Sequence, residues 1–259
     1  MTSTVRARLV KRFGPGVRPW LDGLPDLVAT LCARWALTPE RELTGNTSHT
    51  LLCRRGGTPV VLKLTPEPEI AAQEAAALRA WEPVPEVVAL LEHDVAAGAL
   101  LLEGLEPGTP AACGPAYLDV LTALHVPAPA GFIPLTERLD FMYAHAARGR
   151  PGDYSAAHAA ARALALDPVP AVLLHGDLHL RNVLDAGARG LVAIDPRPCV
   201  GDAAFDAADF VFAAPDWETG LAALDGVVDV ARAEAWCHAL KVFLPAFAPD
   251  GAPAGHPTG

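Results

Sequence analysis

The spacing of apolar residues changes once along this chain, and that change limits the folds open to it. Between residues 40 and 103, the runs 40–44, 50–55, 58–64, 86–92 and 98–103 have strand length and strand patterning, and Gly56-Gly57 joins the second and third as a two-residue hairpin. One helical stretch, 67–81, interrupts them and stops before Pro83 and Pro85. A further helix is expected at 24–36. From Pro110 onward the apolar period is helical, over roughly 111–124, 134–148, 153–167, 203–213, 216–223 and 231–244, broken by a short hairpin at 182–195. The pattern predicts an α+β chain: an antiparallel five-stranded sheet with one inserted helix, then a larger, mainly helical part. The expected boundaries are a helical segment at 1–37, a sheet-bearing N-lobe at 38–104 and a helical C-lobe at 105–259, joined at 104-GLEPGTP-110. Only the tail 245–259, PAFAPDGAPAGHPTG, reads as a loose end.

Charge and cysteine usage remove several classes of function. A net charge of −10 opposes nucleic-acid binding, which needs a basic stripe to displace counterions. From Asp195 onward ten acids face three bases. This is either a solvated acidic surface or a field that attracts a cationic small molecule. The five cysteines are odd in number and scattered, so they outline neither a disulfide framework nor a zinc site. The first sixteen residues carry charge without an apolar core, and no run approaches 18 apolar residues. The expectation is a cytoplasmic protein with no membrane contact and no protein partner implied.

Three constellations carry chemistry. In 58-TPVVLKL-64, alternation puts Val61 and Lys63 on one face and Val60, Leu62 and Leu64 on the other. A lysine on an inner sheet face is costly unless a carboxylate meets it. The following helix offers Glu74, which falls within the stripe Ile70, Ala77, Leu78 and Trp81. The plainer reading is a surface lysine and a glutamate at a stripe's edge. A lysine held by Glu74 presents its ammonium to nucleotide phosphates.

The second constellation is 173-LLHGDLHLRNVL-184, in which a strand runs into a glycine turn with Asp177 at its tip and Asn182 five residues later. The D-x-x-x-x-N spacing equals that of kinase catalytic loops, where the aspartate accepts a hydroxyl proton and the asparagine holds a metal ion. A competing reading makes His175, Asp177 and His179 the metal ligands of a hydrolase. A merely structural loop is the third. With Gly176 favouring a turn, His175 is expected to be a packed, hydrogen-bonded histidine.

The third is 190-GLVAIDPRP-198, whose strand ends at Asp195-Pro196. If the preceding turn centres between Ala188 and Arg189, Asn182 and Asp195 stand directly opposite each other and share a face. That spacing suits one oxygen-liganded magnesium ion. No G-x-x-x-x-G-K-[ST] occurs, so a Walker-type loop is absent, and the expected phosphate-covering loop is 43-LTGNTSHT-50. Adenine is expected near Leu101–Gly104, so Val61, Glu103 and Gly104 join Lys63 and Glu74 as candidate nucleotide contacts.

These segments resemble the aminoglycoside phosphotransferase family, nearest its streptomycin 6-kinase and hydroxyurea-kinase branch. The resemblance runs from RFGPGVRPWLDGLPDLVATLCARWALT through TPVVLKL, EAAALRAW, GALLLEGLEPGTP and LHVPAPAGF to LLHGDLHLRNVL and AIDPRPCVGDAAFDAADFV. It implies a bilobal protein-kinase-like fold and magnesium-dependent transfer of phosphate from ATP or GTP to a hydroxyl of a cationic, aminoglycoside-like compound; the alternatives are a kinase of another small molecule (hydroxyurea, a sugar amine or a metabolite) and a non-catalytic nucleotide-binding module. By the same resemblance Asp177 is the base, Asn182 and Asp195 are the magnesium ligands, and Asp206 braces the catalytic loop from the next helix. Asp202 is read as that helix's N-cap. Two departures stand out. Arg181 occupies a position that is usually glycine in the family, where a positive φ would strain it, and Pro198-Cys199 replaces a small or glycine-containing segment.

Overall fold

The structure is a computed structural model that describes residues 2–43, 45, 47–149 and 152–244. The tail 245–259 lies outside the described residues, as do Thr44 and Asn46 of the expected phosphate loop. The chain forms two compact units, residues 1–109 with 185–192, and residues 110–184 with 193–259.

In the first unit, α1 (Ser3–Phe13) and α2 (Arg18–Trp35) precede the sheet. Strands β1 (Thr38–Leu43), β2 (His49–Arg55) and β3 (Thr58–Leu64) are followed by α3 (Pro68–Ala80), then by β4 (Leu90–Asp94) and β5 (Ala99–Glu103). The five strands lie in the order β1-β2-β3-β5-β4, with antiparallel neighbours throughout. Alternation in β3 sends Val60, Leu62 and Leu64 into one core with Leu24 and Leu31 of α2 and Leu101 of β5. A second cluster of Val5, Leu9, Val17 and Leu21 seats α1.

Two expectations shift here. The helix expected at 24–36 begins at Arg18 and continues through Pro25. Proline lacks an N–H and usually ends a helix, but Leu21 and Leu24 before it and Leu31 after it are all buried, and the packing holds it. The strand expected at 86–92 occupies Leu90–Asp94, because residues 81–87 are taken up by successive turns, Val84 N–H to Trp81 O and Val87 N–H to Val84 O.

A two-residue strand, β6 (Thr109–Pro110), falls where the chain passes into the second unit. That unit contains α4 (Pro115–Leu124), α5 (Leu135–Gly149) and α6 (Ser155–Leu166), then β7 (Ala171–Leu174). The hairpin β8 (Val183–Asp185) and β9 (Leu191–Ala193) comes next, followed by β10 (Cys199–Asp202), α7 (Ala204–Ala213), α8 (Trp217–Ala222) and α9 (Val230–Leu240). Helix α4 starts four residues later than expected because Gly114-Pro115 sets its first turn. β7 and β10 pair antiparallel, Leu174 with Cys199 and Ala171 with Asp202, so the segment after Leu174 and the segment before Cys199 lie at the same end of the ribbon.

Asp202 is not the N-cap expected of it but the last residue of β10. Ala203 holds the N-cap position, and one Asp202 oxygen accepts from Ala204 N–H at 3.0 Å. The other oxygen accepts from Arg232 Nε at 2.8 Å and Trp236 Nε1 at 2.7 Å, tying α9 to the end of β10.

The core of the first unit generates a prediction. Leu62 is fully buried on the central strand, so Leu62→Ala should cost about 2–5 kcal/mol by lost transfer energy plus cavity. Urea denaturation should show a lower midpoint at similar slope.

Candidate active site

In the first unit, Lys63 projects from β3 toward α3, where Glu74 sits within the helix's buried stripe beside Ala71, Ala77 and Leu78. The Lys63 ammonium donates to both carboxylate oxygens, at 2.7 and 2.6 Å, with side-chain exposures of 8% and 1%. Two charges this deeply buried persist as a pair because loss of either would leave the other buried and uncompensated. Val61 lies on the Lys63 face and pairs with Leu102. At the end of β5, Glu103 N–H bonds to Ala89 O at 3.0 Å and Gly104 N–H to Pro59 O at 3.0 Å. The Glu103 carboxylate accepts from Ala89 N–H at 2.7 Å and from Arg189 at 2.5 Å. Arg189 also donates to the carbonyls of Pro85 and Val87, which is why the tip of the 183–193 hairpin groups with the first unit.

In the second unit, residues 175–178 are neither helix nor sheet, so their backbone groups need individual partners. The Asp206 carboxylate, on the first turn of α7, accepts from His175 N–H at 2.7 Å and from Gly176 N–H at 2.9 Å. His175 O accepts from Arg197 N–H at 2.7 Å. Gly176 O accepts from Arg138 of α5, Nη2 at 3.0 Å and Nε at 3.3 Å. Asp177 O accepts from the Asn182 side-chain amide at 2.9 Å, and Leu178 O from the Tyr117 hydroxyl of α4. Gly176 has φ +76, and a Cβ there would lie 2.1 Å from Arg197 O. Only glycine fits that corner.

The Asn182 amide nitrogen also lies 3.4 Å from the Asp177 carboxylate. With its nitrogen turned to Asp177, Asn182 keeps its amide oxygen as the acceptor end. Asp195 ends its strand with φ +57, a left-handed conformation uncommon outside glycine, and lies 3.4 Å from Arg197. Both Asp177 and Asp195 act electrostatically on the His175 ring.

The expected opposition of Asn182 and Asp195 is corrected by one residue. Ile194 N–H bonds to Asn182 O and Ala186 N–H to Gly190 O, so Asn182 pairs with Ile194. The cause is the turn. Gly187–Arg189 form a three-residue 3-10 turn closed by Gly190 at φ +89, in place of a two-residue turn. A one-residue slip reverses faces along a strand, and at Asp195 the left-handed backbone sets the side-chain direction instead.

His175 is buried, and its Nε2 lies 3.0 Å from Ile194 O. Burial pushes its pKa down to about 4, against the pull of both aspartates, so the ring is neutral near pH 7. No group of three His, Cys, Asp or Glu side chains suited to a metal ion occurs among the described residues, and the metallohydrolase reading loses its ligand set. Arg181 is exposed in a right-handed 3-10 turn and carries no positive φ. Cys199 is buried and opens β10.

Arg138, Tyr117 and Asp209 were not singled out from sequence. Arg138 carried a usable signal, a charge flanked by Leu135, Leu139 and Tyr143, all buried on one face of α5. Asp209 is half-buried one turn beyond Asp206. Burial, with the carboxylates of Asp177 and Asp206, pushes its pKa up to about 7. Burial also raises Asp206 to about 6, opposed by its two N–H bonds.

The sequence profile of the aminoglycoside/hydroxyurea antibiotic resistance kinase family matches residues 34–243. The chain belongs to that family. It is 36% identical over 217 residues to streptomycin 6-kinase of Streptomyces glaucescens, covering 77% of this chain and 70% of that one. It is 35% identical over 250 residues to hydroxyurea phosphotransferase of Kitasatospora aureofaciens, covering 86% and 72%. Among solved structures, a macrolide 2'-phosphotransferase from Brachybacterium faecium superposes with a TM-score of 0.60 at 21% identity, over 84% of this chain and 89% of that one. The family's protein-kinase-like fold is thus the fold observed, with the sheet and inserted helix that the strand pattern predicts.

Two predictions follow from this geometry. Glu74→Ala strands a buried ammonium and should cost about 3–5 kcal/mol, whereas a Lys63→Met/Glu74→Leu double variant should recover most of the loss; chemical denaturation of the three proteins measures both. At Asp209 the folded pKa is raised, so its contribution to stability is present at acid pH and lost as pH rises toward about 7. Asp209→Asn should raise the thermal midpoint by a few degrees at pH 8 and leave it unchanged near pH 4.

Proposed function

We propose that this protein transfers the γ-phosphoryl group of ATP to a hydroxyl of a cationic, aminoglycoside-like antibiotic, and so confers resistance to it. The observation that carries the reading is the 175–178 loop, where every partner holds Asp177 at the tip of a rigid turn. Membership of a family whose relatives are named for phosphorylating antibiotics supports it.

The proposed roles follow from the chemistry of each group. Lys63, held by Glu74, supplies positive charge for the triphosphate, with Val61, Glu103 and Gly104 flanking the nucleoside. Asp177 accepts the proton of the attacking hydroxyl, so the work of the protein is mostly alignment. Asp206 and His175 fix the loop backbone. The Asn182 amide oxygen and the Asp195 carboxylate are hard oxygen donors, which is the donor set magnesium takes. Magnesium bound there would neutralise phosphate charge.

Relatives named for streptomycin and for hydroxyurea match to nearly the same extent, 36% and 35%. What favours a cationic acceptor is the acidic balance of the whole chain, a net charge of −10. A cytoplasmic location suits ATP use. It also suits five cysteines that are all free thiols. No helix among the described residues is long and apolar enough to cross a membrane.

Incubation of the protein with magnesium, ATP and streptomycin should add the mass of one phosphoryl group to the antibiotic. Asp177→Ala should lower kcat by about 10²–10⁴-fold with nucleotide affinity nearly unchanged. Full turnover by that variant would remove Asp177 from the role.

A further inference from the structure

We infer that Arg138 is a positioning residue for the phosphoryl transfer: from α5, its guanidinium fixes the Gly176–Asp177 peptide and thereby the direction of the Asp177 side chain. The inference rests on the reading of Asp177 as proton acceptor and adds a residue to it.

The pivot is Gly176. Its N–H belongs to the peptide anchored by Asp206, and its carbonyl belongs to the next peptide, which leads directly into Asp177. Between those two planes lies a glycine at φ +76, the backbone type with least steric resistance to rotation. Asp206 therefore holds one plane and leaves the other to whatever grips Gly176 O. That grip is Arg138, with Nη2 at 3.0 Å and Nε at 3.3 Å on the one oxygen. Two donors on one rigid fork restrict the peptide's rotation more than a single hydroxyl or amide donor.

Helix α5 is itself seated for this task. Val200 N–H bonds to Ile133 O at 2.9 Å, and Pro134 bridges to Val200 of β10. Gly201 approaches Leu135 so closely that a Cβ there would lie 2.7 Å from Leu135 Cβ. Arg138 follows one turn later, and its guanidinium also lies 6.0 Å from the Phe141 ring.

A neutral donor would satisfy a lone carbonyl at lower desolvation cost. A cation has a second use here, because Asp177, Asp206 and Asp209 repel one another. Arg138 offsets that repulsion, pulling down the pKa values of Asp206 and Asp209. The same side chain thus fixes the loop and partly offsets the repulsion that the carboxylates of Asp206 and Asp209 meet there.

The test compares wild type with Arg138→Ala, Arg138→Lys and, as a control outside the site, Arg162→Ala. Hydrogen exchange of the 174–182 segment should be at least about tenfold faster in Arg138→Ala, intermediate in Arg138→Lys, and as in wild type for Arg162→Ala. With magnesium, ATP and streptomycin, Arg138→Ala should lose about 10–100-fold in kcat while KM for ATP stays within about twofold. Low millimolar guanidinium should restore part of that loss in Arg138→Ala and leave wild type unaffected. Unchanged loop exchange in Arg138→Ala overturns the inference, as does a loss confined to KM for ATP. If wild type leaves streptomycin unmodified, the proposed activity fails on that substrate, and the exchange measurement still decides whether Arg138 holds the loop.

Discussion

One carboxylate, that of Asp206, ends two backbone N–H groups of a segment with no secondary structure of its own. A turn of this kind, packed into a helical unit, has no ladder to satisfy its peptides, so apart from the Arg197 N–H on His175 O the partners are side chains. Four elements contribute: α7 through Asp206, α5 through Arg138, α4 through Tyr117, and the 180–182 turn through Asn182. Each reaches a different peptide group. The loop is therefore over-determined, which a site whose chemistry depends on alignment requires.

The same device recurs in both units. Glu74 on α3, Arg138 on α5 and Asp206 on α7 each place one charge among buried apolar residues of a helix. Glu74 meets a lysine, Asp206 meets backbone N–H groups, and Arg138 meets a carbonyl. A charge in such a stripe is costly alone, so its presence marks a place where the fold needs a directed polar contact.

Much of this is legible in the sequence. The β2–β3 hairpin was visible because Gly56-Gly57 and strict alternation specify both turn and face, and the helix carrying Glu74 because its stripe was unbroken. The start of α2 was hidden by Pro25, whose local preference is overridden by the burial of Leu21 and Leu24. The register of the 183–193 hairpin is not legible because Gly187–Arg189 gives no strong turn signal, and the choice between a two- and a three-residue turn shifts every later pair. Arg138 escaped notice for a different reason. Its partner, Gly176 O, is 38 positions away and is a main-chain atom, which no residue pattern encodes.

The left-handed backbone at Asp195 acts as a filter on what evolution can place there. Few residues with a side chain tolerate φ near +57, chiefly asparagine and aspartate. Of those two, only aspartate brings a negative charge. Glutamate, the usual stand-in for an acid, would meet a steric objection at the main chain before its longer reach mattered. Drift at this position is thus confined by stereochemistry as much as by chemistry, and the acid can be neutralised more readily than it can be lengthened.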